Sequence, residues 1–376
     1  MSAISASWAE PLPGLHNPRL PATAKELRPK AVRVLLFGRF LTQWFGQYRN
    51  GTIHTNDRLD PSPRNLIDIS TYAKEGITVV VTPFLWAKQG EALPSEDSPE
   101  WKQHIDHFAE IIRLFGTNIC YLTLDNEPTF ERSDADLAAG PDKTSRVIRF
   151  YNALAARGQA EKRRNPALSN LCIVSPGFYG IEKKIDGTIP AKLDTHLMPL
   201  LEWAMTNADI DAIDIHAHLR SADELAAILG YLKQRTSKPV LINEWSQTPI
   251  AHEWLDKPLD SGYRSRYGLA RMTPRRFISA CYTNRVSSAQ WNEFIALAPF
   301  EADYFQKSYT VASQFDVRVM LYPHGQWGST EFDPNEILAS RTVIPRGDGT
   351  PERNYQFFDR LYEIVKRYEE GAASSR

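Results

Sequence analysis

The stretch CYLTLDNEP, Cys120–Pro128, is an apolar run that ends in polar residues and a proline. Up to Leu124 it fits a buried β-strand. Pro128 has no backbone N–H to donate within a sheet and disfavours helical backbone at Glu127, so the strand is predicted to end where the polar residues begin. Asn126 and Glu127 are therefore expected at the C-terminal tip of a strand, where parallel α/β sheets place their reactive groups.

A second stretch has the same design. VLINEW, Val240–Trp245, follows Lys238 and Pro239 and is another short apolar strand with an acid, Glu244, at its tip. A single glutamate after a strand is most simply a surface residue. Two glutamates in the same setting favour a shared functional role.

Strand and helix signals alternate along almost the whole chain. The predicted strands, in chain order, are Ala3–Ser7, Ala31–Phe37, Ile77–Thr82, Cys120–Leu124, Leu171–Ser175, Ile210–Ile215, Val240–Trp245 and Val286–Trp291. Such strands, each followed by a helix or by a loop long enough to hold one, predict an α/β fold closed as a (β/α)8 TIM barrel. We expect a single domain over residues 1–376, with long βα loops at one rim. Glu127 would then end the fourth strand and Glu244 the seventh.

Composition and charge limit the classes of partner. A net charge of -1 provides no basic surface for nucleic acid or an anionic membrane. No apolar run approaches the ~20 residues that a membrane span needs. The first residues do not resemble a signal peptide, so a cytoplasmic protein is expected, or a secreted one if a leader was trimmed. The three cysteines lack metal-binding spacing and are predicted to be reduced core residues, and the oligomeric state stays open.

Two carboxylates at one end of a barrel can perform double displacement at the anomeric carbon of a sugar. One carboxylate attacks, while the other protonates the leaving oxygen and then activates water. The environment divides the roles, because the acid must hold a proton and the nucleophile must stay ionised.

The Asn-Glu-Pro after strand four, the glutamate after strand seven and the tryptophan after strand eight resemble clan A glycoside hydrolases, with families 5 and 39 nearest. The resemblance covers residues 31–291 and implies that Glu127 is the general acid/base and Glu244 the nucleophile. It also implies that Asn126 holds the sugar 2-hydroxyl and that Trp291 forms the floor under the sugar ring. The implied partner is a carbohydrate substrate, with no cofactor.

Strand six ends in Asp214-Ile215-His216-Ala217-His218. His216 and His218 point the same way in a strand and are predicted to reach the cleft. His218 stands where family 5 tends to have a tyrosine. Arg33 on strand two could be the arginine that such enzymes place beneath the nucleophile, and Arg39 or a structural salt bridge are the alternatives. Sugar-stacking aromatics are expected directly after strands, and the best candidates are Trp8, Trp86, Trp245 and Trp291.

Two other classes of function stay open. His216, His218 and the two glutamates are suitable ligands for a divalent metal, as in metal-dependent barrel hydrolases or sugar isomerases. This alternative gives the Asn-Glu-Pro tripeptide no role. The second alternative is a non-catalytic glycan-binding barrel, in which the aromatics bind sugar but the acids are not paired.

Overall fold

The computed structural model describes residues 12–16, 29–37, 69–84, 90, 92–283, 286–323 and 338. Within these ranges there are eight strands, which are β1 Leu12–His16, β2 Ala31–Phe37, β3 Thr78–Phe84, β4 Tyr121–Thr123, β5 Cys172–Phe178, β6 Ala212–His218, β7 Val240–Ser246 and β8 Val317–Pro323. They follow one another around a closed barrel in chain order. The pairs β1/β8, β2/β3, β3/β4, β4/β5 and β5/β6 are parallel. The predicted (β/α)8 TIM barrel is therefore confirmed.

Helices separate the strands. The described helices are α1 Pro99–Phe115, α2 Pro128–Glu131, α3 Asp134–Leu137, α4 Arg146–Arg164, α5 Ile181–Ile185, α6 Ala191–Thr206, α7 Ala222–Lys233, α8 Thr248–Trp254, α9 Ser261–Tyr267, α10 Pro274–Thr283, α11 Ser288–Ala296 and α12 Tyr304–Ala312. Ser98 begins α1 by accepting a hydrogen bond from the Trp101 backbone N–H, and Gly116 ends it. None of the helices in these ranges is long and apolar enough to cross a membrane.

The predicted eighth strand is wrong. Residues 288–296 form helix α11, which Ser287 begins by accepting the Gln290 backbone N–H. Trp291, Phe294 and Ile295 are spaced three and four residues apart, so a helix buries all three on one face. The strand that closes the barrel is β8, later in the chain. The predicted first strand, Ala3–Ser7, lies outside the described residues, and the strand paired with β8 is Leu12–His16.

Strand β5 is longer than predicted, because it continues through Pro176 and Gly177 instead of ending before them. Its register with β6 shifts between Val174 and Gly177. Proline lacks the N–H that a regular ladder requires, so a bulge is the expected solution. The Ser175 hydroxyl accepts the Asp214 backbone N–H at 2.8 Å, which satisfies a donor at this irregularity.

Contacts divide the chain into two compact units. The unit that contains Glu127 comprises Lys30–His216 and Gly230–Asn243, and the unit that contains Glu244 comprises Met1–Pro29, Ala217–Leu229 and Glu244–Arg376. Strands β6 and β7 each contribute residues to both units. The expectation of one catalytic domain stays a prediction.

Each unit has its own apolar core. In the Glu127 unit, helices α1 and α4 pack through rings such as Trp101 and Phe150, whose centroids are 4.8 Å apart. In the Glu244 unit, an apolar cluster joins helices α8 to α11 and includes Trp254, Tyr263 and Phe277.

Candidate active site

Glu127 follows β4 and directly precedes α2. Pro128 occupies the first turn of that helix, where its missing N–H costs nothing, so the chain turns sharply at Glu127. The turn is anchored by a buried ion pair in which Arg132 Nε donates to Asp125 Oδ2 at 2.9 Å, while the Tyr151 hydroxyl donates to the same carboxylate. This anchoring fixes the backbone on either side of Glu127.

Glu127 contacts a histidine. Its Oε1 lies 2.6 Å from His216 Nδ1, and its side chain is 20% exposed whereas the His216 side chain is fully buried. His216 Nε2 lies 3.7 Å from Asp214 Oδ2, and that oxygen accepts a hydrogen bond from Asn243 Nδ2 at 2.8 Å. The imidazole therefore has a carboxylate on either side and is in hydrogen-bond contact with Glu127, whose carboxyl retains access to solvent.

The bulged strand β5 makes room for this histidine. A Cβ atom at Gly177 would overlap His216 Nε2 and would lie 2.8 Å from the Asn126 carbonyl oxygen. The Gly177 N–H donates to that same carbonyl at 2.6 Å. Glycine is thus required here for close approach.

Both the oxygen and the nitrogen of the Asn126 side-chain amide are hydrogen-bonded. Arg33 Nη2 donates to Asn126 Oδ1, and Asn126 Nδ2 donates to Glu131 Oε1 at 2.6 Å. Arg33 is fully buried on β2, and its Nε donates to Thr82 Oγ1 at 2.8 Å. The predicted site arginine therefore contacts the residue beside Glu127, and Arg39 lies outside the described residues.

Glu131 is a carboxyl group largely removed from water. Burial, reinforced by the negative charge of Asp125, raises the pKa of Glu131 to about 8, although the Asn126 amide opposes the shift. Glu131 therefore carries a proton for much of the time near neutral pH.

Glu244 contacts the second histidine of β6. Its Oε2 lies 3.2 Å from His218 Nε2, and its side chain is 5% exposed. His218 Nδ1 lies 2.7 Å from Ser246 Oγ, and Ser246 Oγ lies 2.6 Å from Thr248 Oγ1. If these hydroxyls donate in sequence from Thr248 to Ser246 to His218, the Nε2 proton is directed at Glu244. An imidazole thus makes the side-chain contact to Glu244.

Two predicted sugar-stacking residues are in apolar cores. Trp291, on α11, is 3% exposed and stacks near Phe277 with centroids 6.3 Å apart. Its helical position removes the reason for placing it at a strand tip. Trp245 is 2% exposed, and the centroid of its ring lies 4.7 Å from that of Phe305. Adjacent residues of a strand face opposite ways, so Trp245 and Glu244 point to different sides of β7. The expectation that Trp245 and Trp291 each present an open ring face to a sugar is therefore corrected, since both rings are buried. Trp8 and Trp86 lie outside the described residues.

Sequence reasoning missed three contributors, namely Glu131, Gly177 and Ser246. Glu131 lies one helical turn after Glu127, a spacing that could have indicated a contact with the same site. Ser246 is two residues after Glu244 in a strand, so it faces the same side. Nothing in the sequence indicated a role for Gly177, since the need for glycine depends on how closely His216 of β6 approaches it in the folded chain.

In each unit, a glutamate and a histidine together offer carboxylate and imidazole atoms suited to a divalent cation, namely Glu127 with His216 and Glu244 with His218. Imidazole nitrogens and carboxylate oxygens suit zinc and related metals. The same atoms make the Glu–His contacts described above, so the donor set fits either use.

The chain is similar in fold to solved glycoside hydrolases. A GH10 endoxylanase retrieved from a sugarcane soil metagenome aligns with 95% of this chain and 97% of its own at 12% identity and a TM-score of 0.51. A GH10 xylanase from Bispora sp. covers 93% of this chain and 95% of its own at 9% identity and a TM-score of 0.49. A rice β-glucosidase covers 91% and 85% at 13% identity and a TM-score of 0.47.

These structures are clan A glycoside hydrolases, so the predicted resemblance is confirmed for the fold. At such low identity the likeness is one of fold alone, and the endoxylanase is the comparison that supports it here. No protein-family model and no curated protein matches the sequence.

Proposed function

We propose that this protein is a retaining glycoside hydrolase that cleaves β-glycosidic bonds in an oligo- or polysaccharide, with Glu127 as general acid/base and Glu244 as nucleophile. One observation carries the proposal. Each glutamate contacts a histidine of β6, and the two histidines are two residues apart. Alternate side chains of a strand share a face, and a retaining mechanism needs two carboxyl groups at one sugar, so the spacing of the two histidines supports a shared role for the two glutamates.

The contacts support the division of roles. Glu244 is nearly buried and faces His218 Nε2, whose N–H would stabilise the ionised carboxylate that a nucleophile requires. Glu127 is the more exposed of the two, which suits a group that must exchange protons with a leaving oxygen and with water.

In the first step, Glu244 attacks the anomeric carbon and the glycosidic bond breaks, while Glu127 gives its proton to the leaving oxygen. In the second, Glu127 takes a proton from water, and the water oxygen displaces Glu244 with overall retention of configuration. Asn126 and His218 are proposed to contact the sugar, and the fully buried His216 is proposed to orient Glu127.

The nucleophile is tested first. Glu244→Ala is expected to abolish turnover of every β-linked aryl glycoside that the wild type cleaves, and azide is expected to restore turnover by attacking from the vacated side. The azide product should have inverted configuration, which proton NMR of the anomeric centre measures. A retained product would contradict the assignment.

Glu127 is tested by the leaving group. A dinitrophenyl leaving group needs little protonation, so Glu127→Ala should retain the first step on that substrate and lose ~10²- to 10⁴-fold on an unactivated glycan. Azide should then give a product of retained configuration. If Glu127→Ala lowered the rate equally on both substrates while the first step was rate-limiting, the role of Glu127 as the acid would be contradicted.

The two alternatives give different outcomes. A metal-dependent hydrolase or isomerase would lose activity with a chelator and contain stoichiometric metal on elemental analysis. A glycan-binding barrel would bind oligosaccharides by calorimetry while cleaving no member of a β-glycoside panel.

A further inference from the structure

The orientation of the Asn126 amide is fixed by two groups of opposite chemistry. Arg33 can only donate, so it faces the carbonyl oxygen, and the Glu131 oxygen accepts from the amide nitrogen at 2.6 Å. A flipped amide would place its nitrogen against the guanidinium and its oxygen against Glu131 Oε1. The pair therefore selects one of the two orientations.

Both partners are themselves held in place. Arg33 is held by Thr82, whose hydroxyl also accepts from Thr123 Oγ1 at 2.8 Å. Glu131 lies in the single turn of α2, where its backbone N–H donates to the Glu127 carbonyl at 2.9 Å and its carbonyl accepts from Gly90 at 2.8 Å. The Glu131 side chain therefore starts from a fixed backbone, next to the proposed acid.

We propose that Glu131 is a positioning residue for the sugar 2-hydroxyl, because it and Arg33 hold the Asn126 amide so that its remaining N–H and lone pair are presented to that hydroxyl. The proposal rests on the proposed function and extends it to a residue with no direct part in the chemistry. Amide nitrogen has two hydrogens, and Glu131 uses one of them.

The charge of Glu131 is not what this role needs. Burial raises the pKa of Glu131 to about 8, so near neutral pH the group is largely a neutral acceptor. Glutamine at this position keeps an acceptor oxygen of the same reach, whereas methionine keeps the length and helix propensity without it. The two substitutions therefore separate hydrogen bonding from packing.

The test compares an aryl β-glycoside with its 2-deoxy counterpart. Hydrogen bonds to the 2-hydroxyl strengthen in the transition state of glycoside hydrolysis, so Glu131→Met is expected to lower kcat/KM about tenfold on the hydroxylated substrate. It should change kcat/KM less than about twofold on the 2-deoxy substrate, where Asn126 has nothing to hold. Glu131→Gln should stay close to the wild type on both.

A matched control and a second background complete the experiment. Glu202→Met makes the same change on the exposed side of α6 and should alter neither substrate. In an Asn126→Ala background, Glu131→Met should have no further effect, since Glu131 acts through Asn126. Glu131→Ala, with circular dichroism as the folding check, replaces Glu131→Met if that variant does not fold.

The outcomes are distinguishable. Equal losses on the two substrates, or a full Glu131→Met effect without Asn126, would overturn the positioning role while leaving the proposed function standing. A wild type that cleaves no β-aryl glycoside would instead overturn the proposed function, and this proposal with it.

Discussion

At the scale of single residues, the buried carboxyl of Glu131 connects folding stability to pH. Burial raises the pKa of Glu131 to about 8 in the folded protein, whereas the pKa of a glutamate in an unfolded chain is about 4.3. Between these values the folded state holds a proton that the unfolded state has lost, so this group's contribution to stability falls as pH rises.

Glu131→Gln removes that titration. We expect the melting temperature of the wild type, relative to Glu131→Gln, to fall as pH is raised from about 5 to about 8.5, measured by differential scanning fluorimetry. A temperature difference that stays constant over this range would show that the carboxyl is solvated in the folded protein.

The Ser246 hydroxyl is predicted to act through His218. Its Oγ lies 2.7 Å from His218 Nδ1, so Ser246→Ala lets the imidazole take the other tautomer and lose its N–H toward Glu244. We expect kcat/KM on aryl glycosides to fall about fivefold, which corresponds to about 1 kcal/mol for one hydrogen bond. Ser169→Ala, at an exposed position, is the control and should leave kcat/KM unchanged. A full-rate Ser246→Ala enzyme would contradict the relay.

At the scale of the element, the irregular strand β5 determines where His216 can sit. Gly177→Ala would push a methyl group into the imidazole and the Asn126 carbonyl, so we expect a large loss of kcat and a lower melting temperature. Gly230→Ala is the matched control, since a Cβ there meets nothing within 4 Å in helix α7. That variant should keep full activity and gain roughly 0.5–1 kcal/mol of stability. A fully active Gly177→Ala would show that β5 can shift away from β6.

Helix α11 supplies the test of the corrected tryptophan. Trp291→Ala is expected to destabilise the protein by roughly 3–5 kcal/mol, because the ring packs in the apolar cluster with Phe277 and Phe294. Trp291→Phe should be milder and should leave KM for aryl glycosides unchanged. A raised KM in Trp291→Phe without loss of stability would instead favour the sugar-floor role. Chemical denaturation and initial rates provide the two measurements.

The sequence predicted elements well where one pattern dominated. The runs before Glu127 and Glu244 are apolar and end in unmistakable polar tips, and both are strands in the structure. The run Val286–Trp291 was misassigned because six residues fit alternation and helical spacing about equally, and Ser287 also caps a helix. Strand β1 contains Pro13 and Gly14, which argue against a strand locally, so only its pairing with β8 makes it one.

At the scale of the whole molecule, alternation of strands and helices was sufficient to predict the barrel, because a parallel sheet with short crossovers has few other closed solutions. The second layer of the site was not predictable in the same way. Contacts such as Asn126 to Glu131 and His218 to Ser246 depend on side-chain burial and reach, which only the folded chain determines.

The cysteines give a prediction for the molecule as a whole. Cys120, Cys172 and Cys281 are not joined in disulfides, so no disulfide involving them contributes to stability. We expect the melting temperature to be unchanged by excess dithiothreitol. A fall in melting temperature on reduction would reveal a disulfide in the oxidised protein.

Both histidine partners of the glutamates belong to one barrel strand, β6, and neither belongs to a loop. This has a consequence for protein engineering. Rim loops can be exchanged to alter substrate preference while the strand that orients the reactive groups stays untouched. By the same reasoning, deletion of one residue of β6 ahead of His216 would turn both imidazoles to the opposite face in a single step, so such a deletion should be far more damaging than one of equal length in a loop.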